Sequence, residues 1–149
     1  MALGQLQVAG KTNEISSIPL LLQLLDIKGA TITLDALGCQ KSITKLIRER
    51  QADYVLSLKG NHRYLHREAK LYLALLENQQ LPIPYADVSR VEKDHGRIET
   101  REYWALDEVK SLGKSGWADI SSIIMVKATR EIAGKVSVEK RFYNLKLVS

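Results

Sequence analysis

The period of the hydrophobic positions switches repeatedly along this chain between that of a strand and that of a helix. Leu3 to Val8 alternates Leu3, Gln5 and Gln7 against Gly4, Leu6 and Val8, the two-residue period of a strand. Ser16-Ser17 ahead of Pro19 predicts a helix start, since proline is tolerated in a first turn. The Leu-rich helix that follows is expected to end at Lys28-Gly29, a basic last turn and a glycine stop. Ala30–Asp35 then reads as a short β-branched strand that finishes on a carboxylate. A helix from about Gln40 to Arg50 carries Ile43, Leu46 and Ile47 on one face. Tyr54–Leu58 is an apolar strand closed by Lys59-Gly60-Asn61. From about His62 to Glu77 the apolar positions Leu65, Ala69, Tyr72 and Leu76 return to helical spacing. Strand, helix, strand with a short crossover implies a parallel, right-handed unit.

At Leu81 the pattern changes again. Leu81-Pro82-Ile83-Pro84 cannot continue a helix and makes an extended linker. Val88–Glu92 and Arg97–Leu106 flank Asp94-His95-Gly96, and Ile123–Ile132 and Val136–Leu145 flank Ala133-Gly134-Lys135. Both arrangements predict hairpins. Residues 85–149 therefore read as an antiparallel β-module, and the chain has no internal repeat.

Composition narrows the class. At 149 residues and 45% hydrophobic content the chain suits one packed domain rather than general disorder. The longest apolar run, Ile18 to Leu25, contains Pro19 and Gln23 and falls short of the ~18 residues of a membrane span. No secretory leader pattern is visible, and the single cysteine, Cys39, fits a reducing cytosol as a packed turn residue. The net charge of +5 is uneven. Residues 1–40 carry two basic and three acidic side chains, residues 41–70 eight and three, and residues 71–149 twelve and eleven. A polyanion is drawn to the segment just after Asp35.

Several constellations carry candidate chemistry. Asp35, at the end of a strand, stands where open α/β sheets hold ligands and metals, or else caps the next turn. Lys41, Lys45 and Arg48 recur at i, i+4, i+7, as do Arg63, Arg67 and Lys70. Each row is either a solvated helix face or a track for phosphates. His62 and His66 have zinc-compatible spacing, but no Glu follows His62 as that motif requires, so an exposed basic helix start is the better reading. Arg97, Glu99, Arg101 and Tyr103 share one strand face, either as a solvated set of ion pairs or as a grip on nucleic acid. Gly113-Lys114-Ser115-Gly116 lacks the spacing of a phosphate loop, which disfavours a nucleotide-binding domain.

These motifs also occur in one order. Lys11-Thr12-Asn13-Glu14-Ile15, Leu21 to Gly29, Thr33-Leu34-Asp35-Ala36-Leu37-Gly38-Cys39-Gln40-Lys41, Asp53 to Asn61 and His95-Gly96-Arg97-Ile98-Glu99-Thr100-Arg101 together resemble the insertion-sequence DDE transposases of the H-repeat-associated family. The resemblance implies an α/β fold: an incomplete RNase H-like core over residues 1–80, then an antiparallel β-rich insertion over residues 81–149. It implies a sheet order three-two-one-four-five, with Leu3–Val8, Ala30–Asp35 and Tyr54–Leu58 as strands three, four and five. Asp35 then matches the second acid of the metal-binding triad. The family's first Asp lies upstream of Met1, and its Glu lies on a helix beyond Ser149. Glu99 falls in the insertion rather than the triad.

In intact relatives the resemblance implies Mg²⁺ or Mn²⁺, DNA as partner (transposon ends and target) and cleavage and transfer of DNA strands. This chain is expected to be a central, catalytically incomplete fragment in the bacterial cytoplasm, at the nucleoid when bound to DNA. The alternative is a non-catalytic DNA-binding fragment that interferes with intact transposase. Expected DNA contacts are Lys41, Lys45, Arg48, Lys59, Asn61, Arg63, Arg67, Lys70, Arg97 and Arg101. His62 departs from the Gln usual after the Lys-Gly-Asn turn. Without the strands that would join three to four, the isolated chain is expected to be marginally stable.

Overall fold

A computed structural model describes residues 7, 11–36, 40–107 and 109–146. Apart from Gln7, the expected strand Leu3–Val8 lies outside the described residues, as does Cys39. The element order is α1 (Lys11–Leu24), β1 (Thr31–Leu34), α2 (Lys41–Glu49), β2 (Asp53–Leu58), α3 (Arg63–Glu77), β3 (Ala86–Asp94), β4 (Arg97–Leu106), a 3-10 turn (Lys110–Ser115), β5 (Ser122–Ile132) and β6 (Lys135–Lys146). The six strands form one mixed sheet in the order β1-β2-β6-β5-β4-β3. Only β1 and β2 are parallel; every other neighbouring pair is antiparallel.

The helix expected to begin at Ser16-Ser17 starts earlier, at Lys11, so Pro19 lies in its interior. Proline there removes one backbone donor. Burial of Leu22 against the core, with Ile18 and Leu25 packed beside it, offsets that loss. The helix also ends at Leu24, ahead of the expected Lys28-Gly29 stop. Gly29 instead serves the turn into β1: its φ is +73°, and its N–H donates to the Gln51 carbonyl at 2.9 Å. A left-handed backbone at this point favours glycine.

α2 and α3 form where the apolar spacing placed them. Ile43 and Ile47 of α2, and Leu65, Ala69, Leu73 and Leu76 of α3, are buried, with Tyr72 only partly so. They meet the alternate residues Tyr54, Leu56 and Leu58 of β2 together with Met125 and Phe142. Each fully buried Leu or Ile contributes roughly 1.5–3 kcal/mol through removal of apolar area from water. Paired residues on neighbouring antiparallel strands share a face, so Leu58, Phe142, Met125 and Trp104 lie on the same side of the sheet. α3 covers that side, where the His66 ring meets Phe142 edge-on at 5.3 Å.

Both hairpins close with two residues in the left-handed region. His95-Gly96 has φ values of 43° and 77°, and Ala133-Gly134 has 50° and 76°. That geometry matches the right-handed twist of the flanking strands. β3, β4, β5 and the first half of β6 project beyond the helices as a four-stranded arm.

Tyr54–Leu58, expected as the end strand of the sheet, is internal. Its free side pairs with Phe142–Lys146 of β6, which returns from the second hairpin. Chain pairing over such a distance leaves no local sequence signal. Among the described residues β1 has no strand on its other side, and so forms one edge of the sheet.

Candidate nucleic-acid interface

β1 ends at Leu34, and Asp35 follows directly at the carboxyl end of the parallel pair, exposed to solvent. The adjacent strand ends at Leu58 and turns through Lys59-Gly60-Asn61. The Asn61 side-chain amide donates to the Ala36 carbonyl at 3.4 Å, which ties that turn to the loop after Asp35. β6 continues past the end of β2, so Glu139, Arg141 and Tyr143 form the far wall of a cleft. Asp35, Lys59 and His66 form the near side, around a volume of about 450 Å³.

The sheet face opposite α3 extends this cleft along the arm. Register places Arg101, Ala128 and Glu139 in one row, and Tyr103, Val126 and Arg141 in the next. Glu99 sits at the centre of the charge on this face. Its side chain is 3% exposed because three guanidiniums cover it: Arg101 at 2.5 Å, Arg130 at 3.4 Å and Arg97 at 3.9 Å. Desolvation pushes its carboxyl up, but the positive charges of Arg101 and Arg130 outweigh this and hold it below the usual range. Arg141 donates to Glu139 at 2.8 Å and also interacts with the Tyr143 hydroxyl, and its hydrogen bond holds the Glu139 carboxyl below its usual range.

The two helical rows fare differently. Arg63, Arg67 and Lys70 are exposed along α3, with Arg67 over the Tyr64 ring at 5.9 Å. Lys41 and Lys45 are exposed too. The Lys41 ammonium hangs over Gly116, and Lys45 pairs with Glu49 at 3.8 Å. Arg48 is drawn away from that row. It is bound to Asp53 at 2.6 Å, to Asp119 at 3.1 Å and to the Ala52 carbonyl at 2.9 Å, with a side chain 20% exposed. It therefore clasps α2, β2 and the loop before β5.

His62 and His66 face different partners. The His62 ring meets Trp117 edge-on at 5.7 Å, and His66 meets Phe142. Burial, then the charges of Lys70 and His62, lower the pKa of His66. Among the described residues no group of three or more His, Cys, Asp or Glu side chains comes together as a metal cage.

Sequence spacing placed Arg97, Arg101 and Tyr103 on one face, but not Arg130, Glu139, Arg141 or Tyr143. The last three alternate along β6, so their common face was legible by period. Their position beside Asp35 depends on the pairing of β6 with β2.

Fold and site together define a mixed α/β protein with one helix-covered face and one arginine-rich face on which, among the described residues, no helix packs, and which runs up to a strand-end carboxylate. Across 144 residues the chain is 43% identical to "Uncharacterized protein in dhlA 3′region" of Xanthobacter autotrophicus, covering 96% of this chain and 48% of that one. It is 40% identical over 109 residues to "H repeat-associated putative transposase YbfD" of Escherichia coli K12, covering 72% of this chain and 42% of the relative. It is also 44% identical over 103 residues to "Putative transposase YncI" of Escherichia coli O157:H7, covering 68% and 25%. The chain belongs to the H repeat-associated transposase family, as the counterpart of one segment of these longer proteins. It spans about half the length of the Xanthobacter relative and less of the others. No family model and no solved structure matches it. No helix among the described residues is long and apolar enough to cross a membrane.

Proposed function

We infer that the chain forms a central part of a DNA transposase of the DDE class. In this reading residues 1–80 contribute part of an RNase H-like core, and residues 81–149 its β-rich insertion. Asp35 supplies one carboxylate of the metal-binding set, and DNA lies along the bare sheet face. One observation supports this most: Asp35, Lys59 and Arg141 line one cleft, from which Arg101 and Arg130 continue along the arm. A phosphate backbone on this line meets successive cations, while its reacting phosphate lies beside a carboxylate at a sheet edge.

Two-metal phosphoryl transfer needs carboxylates around ions roughly 3.5–4 Å apart. Asp35, with Glu139 held by Arg141 in the same cleft, falls short of such a set. The described residues therefore do not fit two Mg²⁺ or Mn²⁺ ions, and no bond-breaking step is assigned to them.

The test is a salt titration of duplex binding by fluorescence anisotropy, with a nicking assay on the same samples. If Lys59, Arg97, Arg101, Arg130 and Arg141 meet phosphates, log affinity falls against log salt with a slope near roughly −4.5, at about −0.9 per contact. Nicking with Mg²⁺ or Mn²⁺ is expected to be absent. No binding at low salt would sink the reading. Nicking that disappears in Asp35→Ala would show a complete site instead.

A further inference from the structure

A trough runs along β5 on the bare face of the arm. Its floor is low and apolar: Ile124, Val126 and Ala128 alternate outward along the strand. Its walls are tall. Arg101 and Tyr103 rise from β4 on one side, and Glu139, Arg141 and Tyr143 rise from β6 on the other. Arg130 closes the distal end, and the enclosed volume is about 260 Å³. The wall on β6 is shared with the Asp35 cleft, so the two spaces adjoin.

Width decides what such a trough admits. β4 and β6 are two strand spacings apart, roughly 9.6 Å at ~4.8 Å per spacing. A duplex, whose major groove alone is ~12 Å across, can rest on the rims but cannot enter. A single strand can. An apolar floor between two tyrosines offers a flat face to an unstacked base, and every base has such a face.

Charge agrees with this occupant. Arg101, Arg130 and Arg141 face two carboxylates, Glu99 and Glu139, for a local balance of +1. Each guanidinium has five N–H donors, and the carboxylates use only some of them. Glu99 and Glu139 thereby hold the guanidiniums in place while leaving outward donors for phosphate oxygens.

We propose that this trough binds an unpaired stretch of DNA, with bases against Tyr103 and Tyr143 and phosphates on Arg101, Arg130 and Arg141, and leads it to the cleft at Asp35. The proposal rests on the DNA reading above and narrows it to the single-stranded form at this place. Duplex flanking the unpaired stretch lies on the rims.

The experiment compares the full chain on a short single-stranded oligonucleotide and on the duplex of the same sequence, by anisotropy at one salt concentration. A 2-aminopurine in the single strand reports stacking. The single strand is expected to bind about tenfold more tightly, with quenching of the 2-aminopurine. Tyr143→Leu and Tyr103→Leu are each expected to cost about tenfold in single-strand affinity and under about twofold on duplex. Should Tyr103→Leu fail to fold by circular dichroism, Tyr143→Leu carries the comparison, and the 2-aminopurine quenching by the unaltered chain tests the stacking independently. Duplex bound as well as single strand, with folded tyrosine variants that lose nothing on the single strand, would overturn the trough and leave DNA binding intact. If neither form binds, the underlying DNA reading fails, and the trough with it.

Discussion

A single arginine shows how far residue type alone carries. Arg48 completes a helical row with Lys41 and Lys45 in the sequence, yet its guanidinium is spent on Asp53, Asp119 and the Ala52 carbonyl. The reason is reach: the strand that starts at Asp53 lies close enough for a charge-assisted contact of 2.6 Å. Arg48→Gln is therefore expected to destabilise the fold by roughly 1–3 kcal/mol, the range for a partly buried charged hydrogen bond. It should leave the salt dependence of DNA binding unchanged. Urea unfolding with an unaltered slope and a lower midpoint checks the first part, and a salt titration checks the second. Asp35 is the opposite case. Its place after a strand was readable from its neighbours, whereas Glu139 across the cleft was not, because nothing near either residue in sequence points to the other.

At the scale of elements, amphipathic spacing was a reliable guide to α2 and α3, whose buried positions follow the expected face. The ends of α1 were not legible, because capping and glycine signals are weaker than the packing of its apolar side. α3 also carries the more promising cationic row. Arg63, Arg67 and Lys70 are exposed, and Glu77 at its far end is held by Lys127 at 2.9 Å and Lys140 at 3.2 Å. Those contacts, led by the hydrogen bond from Lys127, keep the Glu77 carboxyl below its usual range and fix the helix against β5 and β6. A helix fixed in this way presents its row at a constant angle. With DNA on the opposite sheet face, replacing Arg63, Arg67 and Lys70 together by Gln is expected to change the salt slope by less than about 0.9, one contact. A flattening by roughly 2–3 units would put DNA on the helix-covered side instead. An unchanged slope in a variant with the parent's circular dichroism would make the row a solvated face only.

Across the whole molecule one sheet carries both the parallel pair and the arm. β6 joins them: its last residues pair with β2, its first residues with β5 alone, and Phe142 packs under α3. Cutting that strand's contacts would leave β2 with β1 as its one neighbour and take Phe142 from under α3. Unfolding is therefore expected to be a single transition in which two probes coincide. Fluorescence from Trp104 and Trp117 samples the arm and the loop after the 3-10 turn, while far-ultraviolet circular dichroism samples the helices. Separate midpoints would show that the segments before and after Leu81-Pro82-Ile83-Pro84 fold as independent units.

By itself the sequence determined α2, α3 and the strands from Thr31 onward, the two tight turns and the strand-end position of Asp35. Each of these rests on neighbours within a few residues: side-chain period, glycine at left-handed positions, apolar runs broken by polar ends. It also carried the family resemblance, through motifs kept in order. Tertiary structure alone decided that β6 returns to β2, that Arg48 is a clasp, and that Glu139, Arg141 and Tyr143 face Asp35 across a cleft. The physical reason is that backbone hydrogen bonds between strands are the same for every residue. Partner and register are therefore chosen by burial of the whole helix-covered face, which no local stretch of the chain contains.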